Sequence, residues 1–265
     1  MAGASIIIAT YNGSKYIDEA IRSALSQKGV ELEVIIVEDA STDQRPEIIG
    51  RYACPQGFDF DPRVRIVRHS TNRGIEGSYR DGVINTTAPY FKLLDHDDAL
   101  PSTDVLARQV AVLDRNPGMA FVAGQTNYMD ADGRVYRRKG YQGKPEVLDG
   151  REVECGVLWG LRIPIHNGAM LIRKEAYEEL GGFDYDFVLA ASRSEWQIGW
   201  VNEPVLDYRN HGGNSSLNPA NRWNDYTRRM RTAQGLQGRQ AARYRAYRTV
   251  LDAGKMAYCL AFEKR

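Results

Sequence analysis

The sequence predicts an α/β fold on a mostly parallel sheet, and three observations carry that reading. Over the first hundred residues, short β-branched runs alternate with segments of helical period, the order expected of successive βα units. Each of these runs passes at once into small, polar or acidic residues, the place where open α/β sheets hold ligands. The composition is that of an ordinary globular chain: 265 residues, 43% apolar, 10% aromatic and 26% charged. Disordered, collagen-like and disulfide-scaffold chains are thereby excluded, and the length allows one large domain or one domain with an appendage.

Residues 5–10, 32–37, 64–68 and 89–94 read as strands. Between the first two, Ile17, Ala20, Ile21, Ala24 and Leu25 recur at helical spacing behind Ser14, a residue type that caps helix starts. A second helix follows Ser41-Thr42-Asp43, and a third spans 74–84. Right-handed crossovers would leave the strand C-termini along one edge of the sheet. Beyond Asp98 the alternation loosens. Residues 105–113 read as a helix, 120–123 as a strand, and 127–136 as a hairpin turning at Asp130-Ala131-Asp132-Gly133. Residues 140–165, rich in Gly and Pro, read as a mobile loop or lid; a strand at 169–172 and a helix at 174–180 follow, stopped by Gly181-Gly182. The end of the chain changes character: residues 222–265 hold 11 Lys/Arg against 3 Asp/Glu, while Tyr244, Tyr247, Leu251, Tyr258 and Phe262 keep a helical period. A basic amphipathic helical segment is expected there.

Over the whole chain 35 basic residues nearly balance 34 acidic ones, a net charge of +1 that argues against a nucleic-acid partner. Cys54, Cys155 and Cys259 lie far apart, without metal-ligand spacing, and read as buried free thiols in a reducing compartment. No apolar run approaches the ~18 residues of a membrane span. The N-terminus runs into its first strand without a basic leader region, so a cytoplasmic protein is expected.

The strongest chemical feature is Leu94-Asp95-His96-Asp97-Asp98, three carboxylates within four residues directly after an apolar strand. Carboxylates this crowded repel one another unless a cation neutralises them, and hard oxygen ligands suit magnesium or manganese(II). A solvated acidic turn is the alternative; the strand-end placement favours the cation. Thr10-Tyr11-Asn12-Gly13-Ser14 can bring amides and hydroxyls against a nucleotide or simply form a β-to-α turn. In Glu38-Asp39-Ala40-Ser41-Thr42-Asp43, Asp39 can accept from a base or ribose, or cap a helix. In Asn72-Arg73-Gly74, Arg73 can meet a phosphate or pair with a surface acid.

Taken in order and at this spacing, these segments resemble family 2 glycosyltransferases of the GT-A fold, and the resemblance covers about residues 4–216. Ile165-His166-Asn167-Gly168, Gly181-Gly182-Phe183-Asp184 and Tyr208-Arg209-Asn210-His211-Gly212-Gly213 resemble the family's acceptor-side segments. The resemblance implies a Rossmann-like central sheet flanked by helices, with residues 1–100 as a nucleotide-binding half, 101–216 as an acceptor-binding half and 217–265 as the helical C-terminal segment. It implies an inverting transfer of one sugar from a nucleotide-diphosphate sugar, a UDP-sugar first among them, to a saccharide, lipid-linked or other hydroxyl acceptor, assisted by manganese or magnesium.

Carried over by position, Thr10, Tyr11, Asn12, Glu38, Asp39, Asn72, Arg73 and Asp95 line the nucleotide site, with Asp39 taking the uracil N3 hydrogen. Asp97, Asp98 and His211 are assigned to the metal; His166, Asn167 and Trp159 to the acceptor side. The family's E-D pair, whose aspartate is the catalytic base, has no separate counterpart. The chain runs Gly182-Phe183-Asp184-Tyr185-Asp186, as if two segments had fused, so Asp184 is the base candidate and Asp186 the runner-up, with Phe183 where a glutamate stands in the family. Glu38 also replaces an aspartate. Arg222-Trp223 is similar to a motif of processive members, yet Pro219 stands where their glutamine belongs, so single transfer is expected.

Rival readings are a sugar-nucleotide-binding protein without turnover and a nucleotidyltransferase; the latter's Gly-rich, Lys-containing phosphate loop is missing. Signatures of dehydrogenases, P-loop enzymes and serine hydrolases are absent too. The basic C-terminal segment suits either an anionic membrane surface or packing on the sheet or on a second subunit.

Overall fold

The computed structural model describes residues 3–13, 15–43, 45–144, 146–159, 165–181 and 185–214. The first four strands are β1 (Ala4–Thr10), β2 (Leu32–Glu38), β3 (Val64–Arg68) and β4 (Tyr90–Asp95), within a residue or two of the ranges predicted. They alternate with α1 (Ile17–Leu25), α2 (Arg45–Ala53) and α3 (Gly74–Asn85). All four strands are parallel, in the order β3-β2-β1-β4. Such strands are covered on both faces, and β1 accordingly is buried along its whole length. Helix α1 lays Ile17, Ala20, Ile21 and Ala24 on the sheet, the i, i+3, i+4, i+7 stripe of the sequence; each fully buried Ile stabilises by roughly 1.5–3 kcal/mol.

Beyond α4 (Val105–Arg115) the sheet becomes mixed. Its later strands are β5 (Met119–Met129), β6 (Val135–Lys139), β7 (Val147–Leu148), β8 (Leu171–Arg173) and β9 (Gln197–Arg209). Strand β8 runs antiparallel between β4 and β5, while β9 lies parallel to β5 on its other side. Residues on either side of position 100 therefore share one sheet. The hairpin forms as expected: Asp130 Oδ1 accepts from the amides of Asp132 and Arg134, and Gly133 takes the positive φ of 83° that the turn requires. Helix α6 (Lys174–Leu180) ends at Gly181 with φ 64°, as its stop signal predicts.

Several expectations need correction. Residues 140–165 are not simply a loop: they contain β7 and α5 (Gly150–Trp159), which packs on α7 (Tyr185–Ser192). Helix α1 starts behind Tyr16 with no side-chain cap, and Ser14 lies outside the described residues. Cys54 is exposed rather than buried. Asp184, Phe183, Arg222-Trp223 and the basic segment 217–265 also lie outside the described residues.

The edge away from the strand C-termini is closed by Glu33. Its carboxylate accepts from Ser5 Oγ, Thr86 Oγ1 and the amides of Thr87 and Ala88, at 2.5–3.2 Å. Burial alone would raise this carboxyl, but those donors prevail and lower it to about 2. On the α4 side, the buried Lys92 reaches Gln109 Oε1 at 3.2 Å, and Gln109 Nε2 donates to the carbonyls of Val122 and Ala169. One polar node thus ties β4, α4, β5 and the 3-10 turn at Asn167–Ala169 together.

Candidate functional site

Parallel register brings the strand ends together: Thr10 lies opposite Glu38, and Ala9 opposite Asp95. The turns that leave β1 and β4 also touch. A Cβ on Gly13 would stand 2.0 Å from the His96 ring, so any larger residue there would have to displace that ring from the acidic turn.

On the β2 side, Asp39 is buried and held by three contacts. Its Oδ1 accepts from the Arg73 amide at 2.8 Å and meets His69 Nδ1 at 2.7 Å, while Oδ2 accepts from the Gly74 amide at 2.9 Å. Burial raises the Asp39 carboxyl, but the Arg73, His69 and Gly74 contacts outweigh it and the net shift is downward. Glu38 accepts from the Ser41 amide at 2.7 Å, so this replacement closes the β2–α2 turn upon itself. Directly after the two carboxylates Ala40 is held at φ 57°, a left-handed conformation that disfavours a Cβ. Asn12, at φ 45°, accepts from the Thr42 amide and links the first turn to this one. Thr10 is buried and Tyr11 exposed. Asn72 accepts from the Gly74 amide. The guanidinium of Arg73 pairs with Asp81, the surface-acid alternative of the sequence reading.

On the β4 side each carboxylate meets fewer donors among the described residues. Asp95 takes the Tyr79 hydroxyl at 2.5 Å, yet burial and Asp97 raise its carboxyl. Asp98 is buried; burial together with Asp95 and Asp97 pushes it well up, against the Arg209 amide that donates to Oδ1 at 2.8 Å. Its Oδ2 is buried without a hydrogen-bond donor among the described residues. Asp97 Oδ2 meets His211 Nε2 at 3.0 Å. The His211 ring lies 5.2 Å from that of Tyr16, and its Nδ1 accepts from the Gly213 amide.

A divalent cation fits this turn. An orphaned buried oxygen and three mutually repelling carboxylates are what such an ion relieves. Among the described residues no three ligand side chains converge, which matches an ion held by one or two carboxylates and completed by substrate phosphate and water.

Of the residues the sequence assigns to the acceptor, His166 receives the Gly168 amide at its Nδ1 and meets the Tyr208 ring at 4.7 Å, tilted by 53°; burial pulls its imidazole down to about 4. Asn167 Oδ1 is buried without a donor among the described residues. Trp159 ends α5. Asp186 lies in the first turn of α7, half-buried.

Sequence reasoning missed His69, Tyr79, Glu19 and Arg209. The guanidinium of Arg209 is buried behind the acidic turn. It donates to the Asp97 carbonyl at 2.9 Å and to Glu19 at 2.6 Å, and lies 4.5 Å from the centre of the Tyr16 ring. One signal was available: the chain has four histidines, and all four, His69, His96, His166 and His211, fall in the segments singled out or directly beside them.

Comparison with known proteins agrees with this architecture. The family model described as Glycosyl transferase family 2 matches residues 5–181. The succinoglycan biosynthesis protein ExoO of Rhizobium meliloti is 33% identical over 133 residues, half of this chain and 36% of that protein. An uncharacterized glycosyltransferase of Haemophilus influenzae is 27% identical, over 80% of this chain and 67% of its own length. The chain thus spans about a third to two thirds of the length of these curated relatives. The fold resembles the crystal structure of S. aureus TarS 1-349 in complex with UDP-GlcNAc, with a TM-score of 0.65 at 16% identity, covering 91% of this chain and 69% of that one. Among the described residues no helix is long and apolar enough to cross a membrane.

Proposed function

The chain belongs to glycosyl transferase family 2, and on that premise we propose that it moves one sugar from a nucleotide-diphosphate sugar, first a UDP-sugar, to an acceptor hydroxyl, with inversion. The observation that carries the reading is the placement of two unlike carboxylate turns on one sheet edge, bridged by the β1 turn, whose Asn12 accepts from the Thr42 amide and whose Gly13 packs on His96. Asp39 supports the base, because its lowered carboxyl stays an acceptor and three donors fix its position. Thr10, Tyr11 and Asn12 border the same face, with Asp95 toward the ribose or sugar.

Asp97 and Asp98 would hold manganese or magnesium, with His211 beside them. When bound, that ion supplies Lewis-acid neutralisation of the leaving diphosphate. An acceptor hydroxyl is far too weak an acid to ionise unaided, so a positioned carboxylate takes its proton as the new bond forms. Asp184 is assigned that role first and Asp186 second. His166, kept neutral, Asn167 and Trp159 are assigned to the acceptor, which is a saccharide, lipid-linked or other hydroxyl compound. The presence of UDP-GlcNAc in the TarS structure and the glycan named for ExoO support a donor and pathway of this class.

Calorimetry with UDP, with and without manganese, followed by hydrolysis assays on UDP-, GDP- and dTDP-sugars tests the reading. Manganese-dependent UDP binding with turnover of one donor is expected. Binding without turnover would support a non-catalytic sugar-nucleotide protein, and a product of retained anomeric configuration would overturn single displacement.

A further inference from the structure

We infer that Arg209, braced by Glu19 on α1, is the positioning residue that sets the acidic turn in its cation-holding form. This rests on the assignment of Asp97 and Asp98 to a cation. The resemblance names Arg209 only as part of the segment Tyr208–Gly213 and gives its side chain no role of its own.

Three observations converge. The side chain is 2% exposed, so its charge has left water and needs fixed partners. Those partners come from separate elements. Nε donates to the Asp97 carbonyl at 2.9 Å, within the turn itself, and Nη2 reaches Glu19 Oε2 at 2.6 Å. The guanidinium also lies 4.5 Å from the centre of the Tyr16 ring, a cation–π contact. Tyr16 in turn meets the His211 ring in a tilted contact, and His211 returns to Asp97 Oδ2. The result is a closed ring of contacts from the turn through Arg209, Tyr16 and His211 back to the turn. Asp98 is held by the Arg209 backbone amide, a bond that survives any substitution of the side chain.

The fork geometry matters as well as the charge. An ammonium on a flexible stem cannot serve a carbonyl, a carboxylate and a ring face together. Outer partners that fix ligand orientation typically govern metal affinity by about tenfold or more. The other side chain of the brace is half in solvent: Glu19 is 54% exposed, so neutralising it costs little packing.

The test is manganese binding to the full chain without nucleotide, read from the free-ion EPR signal, in wild type, Arg209→Lys and Glu19→Gln. Melting temperature and metal-free uridine affinity are measured alongside. Arg209→Lys is expected to weaken manganese binding about tenfold, and Glu19→Gln by roughly two- to fivefold, as for a partly exposed pair. Uridine affinity should stay unchanged in both. Manganese affinities equal to wild type in Glu19→Gln and a folded Arg209→Lys overturn the inference, as does a parallel loss of uridine binding, which would mark general loosening. Absence of manganese binding in wild type would instead remove the cation assignment itself.

Discussion

The turns after β2 and β4 use the same residue type on the same sheet edge to opposite electrostatic ends. Asp39 meets three donors, from Arg73, Gly74 and His69, and its carboxyl is lowered. Asp98 meets one, is crowded by Asp95 and Asp97, keeps an orphaned oxygen and is raised. A carboxylate whose charge is already answered by the fold can recognise a neutral donor edge without further help. A carboxylate whose charge is unanswered remains costly until something positive arrives. The contrast sets a turn whose charge the fold answers apart from one whose charge it leaves open, without appeal to sequence patterns.

Removing a member of the cation turn should have the largest effect. Asp97→Ala is expected to lower manganese-dependent donor turnover by about a hundredfold or more, the scale for losing stabilisation of developing charge. Its melting temperature should change little, because the His211 contact it loses is offset by relief of its repulsion with Asp95 and Asp98. Wild-type turnover in that variant in the presence of EDTA would dissolve the distinction between the turns.

Amide replacements compare the turns directly through stability. Asp39→Asn keeps one acceptor and turns an NH₂ toward donor groups, so it should destabilise by about 1–3 kcal/mol. Asp98→Asn removes a carboxylate that burial penalises while its remaining oxygen still takes the Arg209 amide. The metal-free protein should then melt at or above the wild-type temperature. Equal losses in the two variants, measured by thermal unfolding, would show that the turns do not differ.

Acid titration sharpens the same contrast with a smaller signal. Asp39 is lowered on folding, so its contribution is present above the unfolded carboxyl range and is lost as pH falls through its folded value. Asp95 and Asp98 are raised, so their contribution is complete below the unfolded range and is lost as pH rises through their folded values. Mild acidification of the metal-free protein from neutral should therefore relieve the β4 turn before it harms the β2 turn. Manganese, by holding those carboxylates charged, should abolish that relief in melting curves. Asp98→Asn is the control that isolates the turn from the rest of the chain.

What could be read from the sequence follows from how local each cause is. Strands β1 to β4 and helices α1, α3, α4 and α6 announce themselves through apolar period and turn residues within their own spans. Strand β9 does not, because Asn202, Glu203 and Pro204 interrupt it where its pairing with β5 shifts register. Helix α5 begins at a glycine, beyond Gly140, Gly143 and Pro145. Helix α7 is short and almost uniformly apolar, so it carries no period. The acidic turn was legible because its charges are adjacent in the chain; Arg209 and His69 were not, since their partners lie 190 and 30 positions away at Glu19 and Asp39.

The smallest expected effect concerns the backbone of the recognition turn. Ala40 sits at φ 57° because its neighbours leave it no alternative: Glu38 grips the Ser41 amide and Asp39 is fixed to the start of α3. A left-handed alanine costs about 1–2 kcal/mol, and the looser unfolded chain of a glycine variant returns about 0.4–1 kcal/mol of that. Ala40→Gly should thus stabilise by about 0.5–1 kcal/mol and raise the melting temperature by about 2 °C. Uridine affinity should be unchanged, since the same bonds still pin the turn on both sides. A lower melting temperature would mean that the neighbours do not impose this conformation, and with it would go the picture of a turn fixed in advance of its ligand.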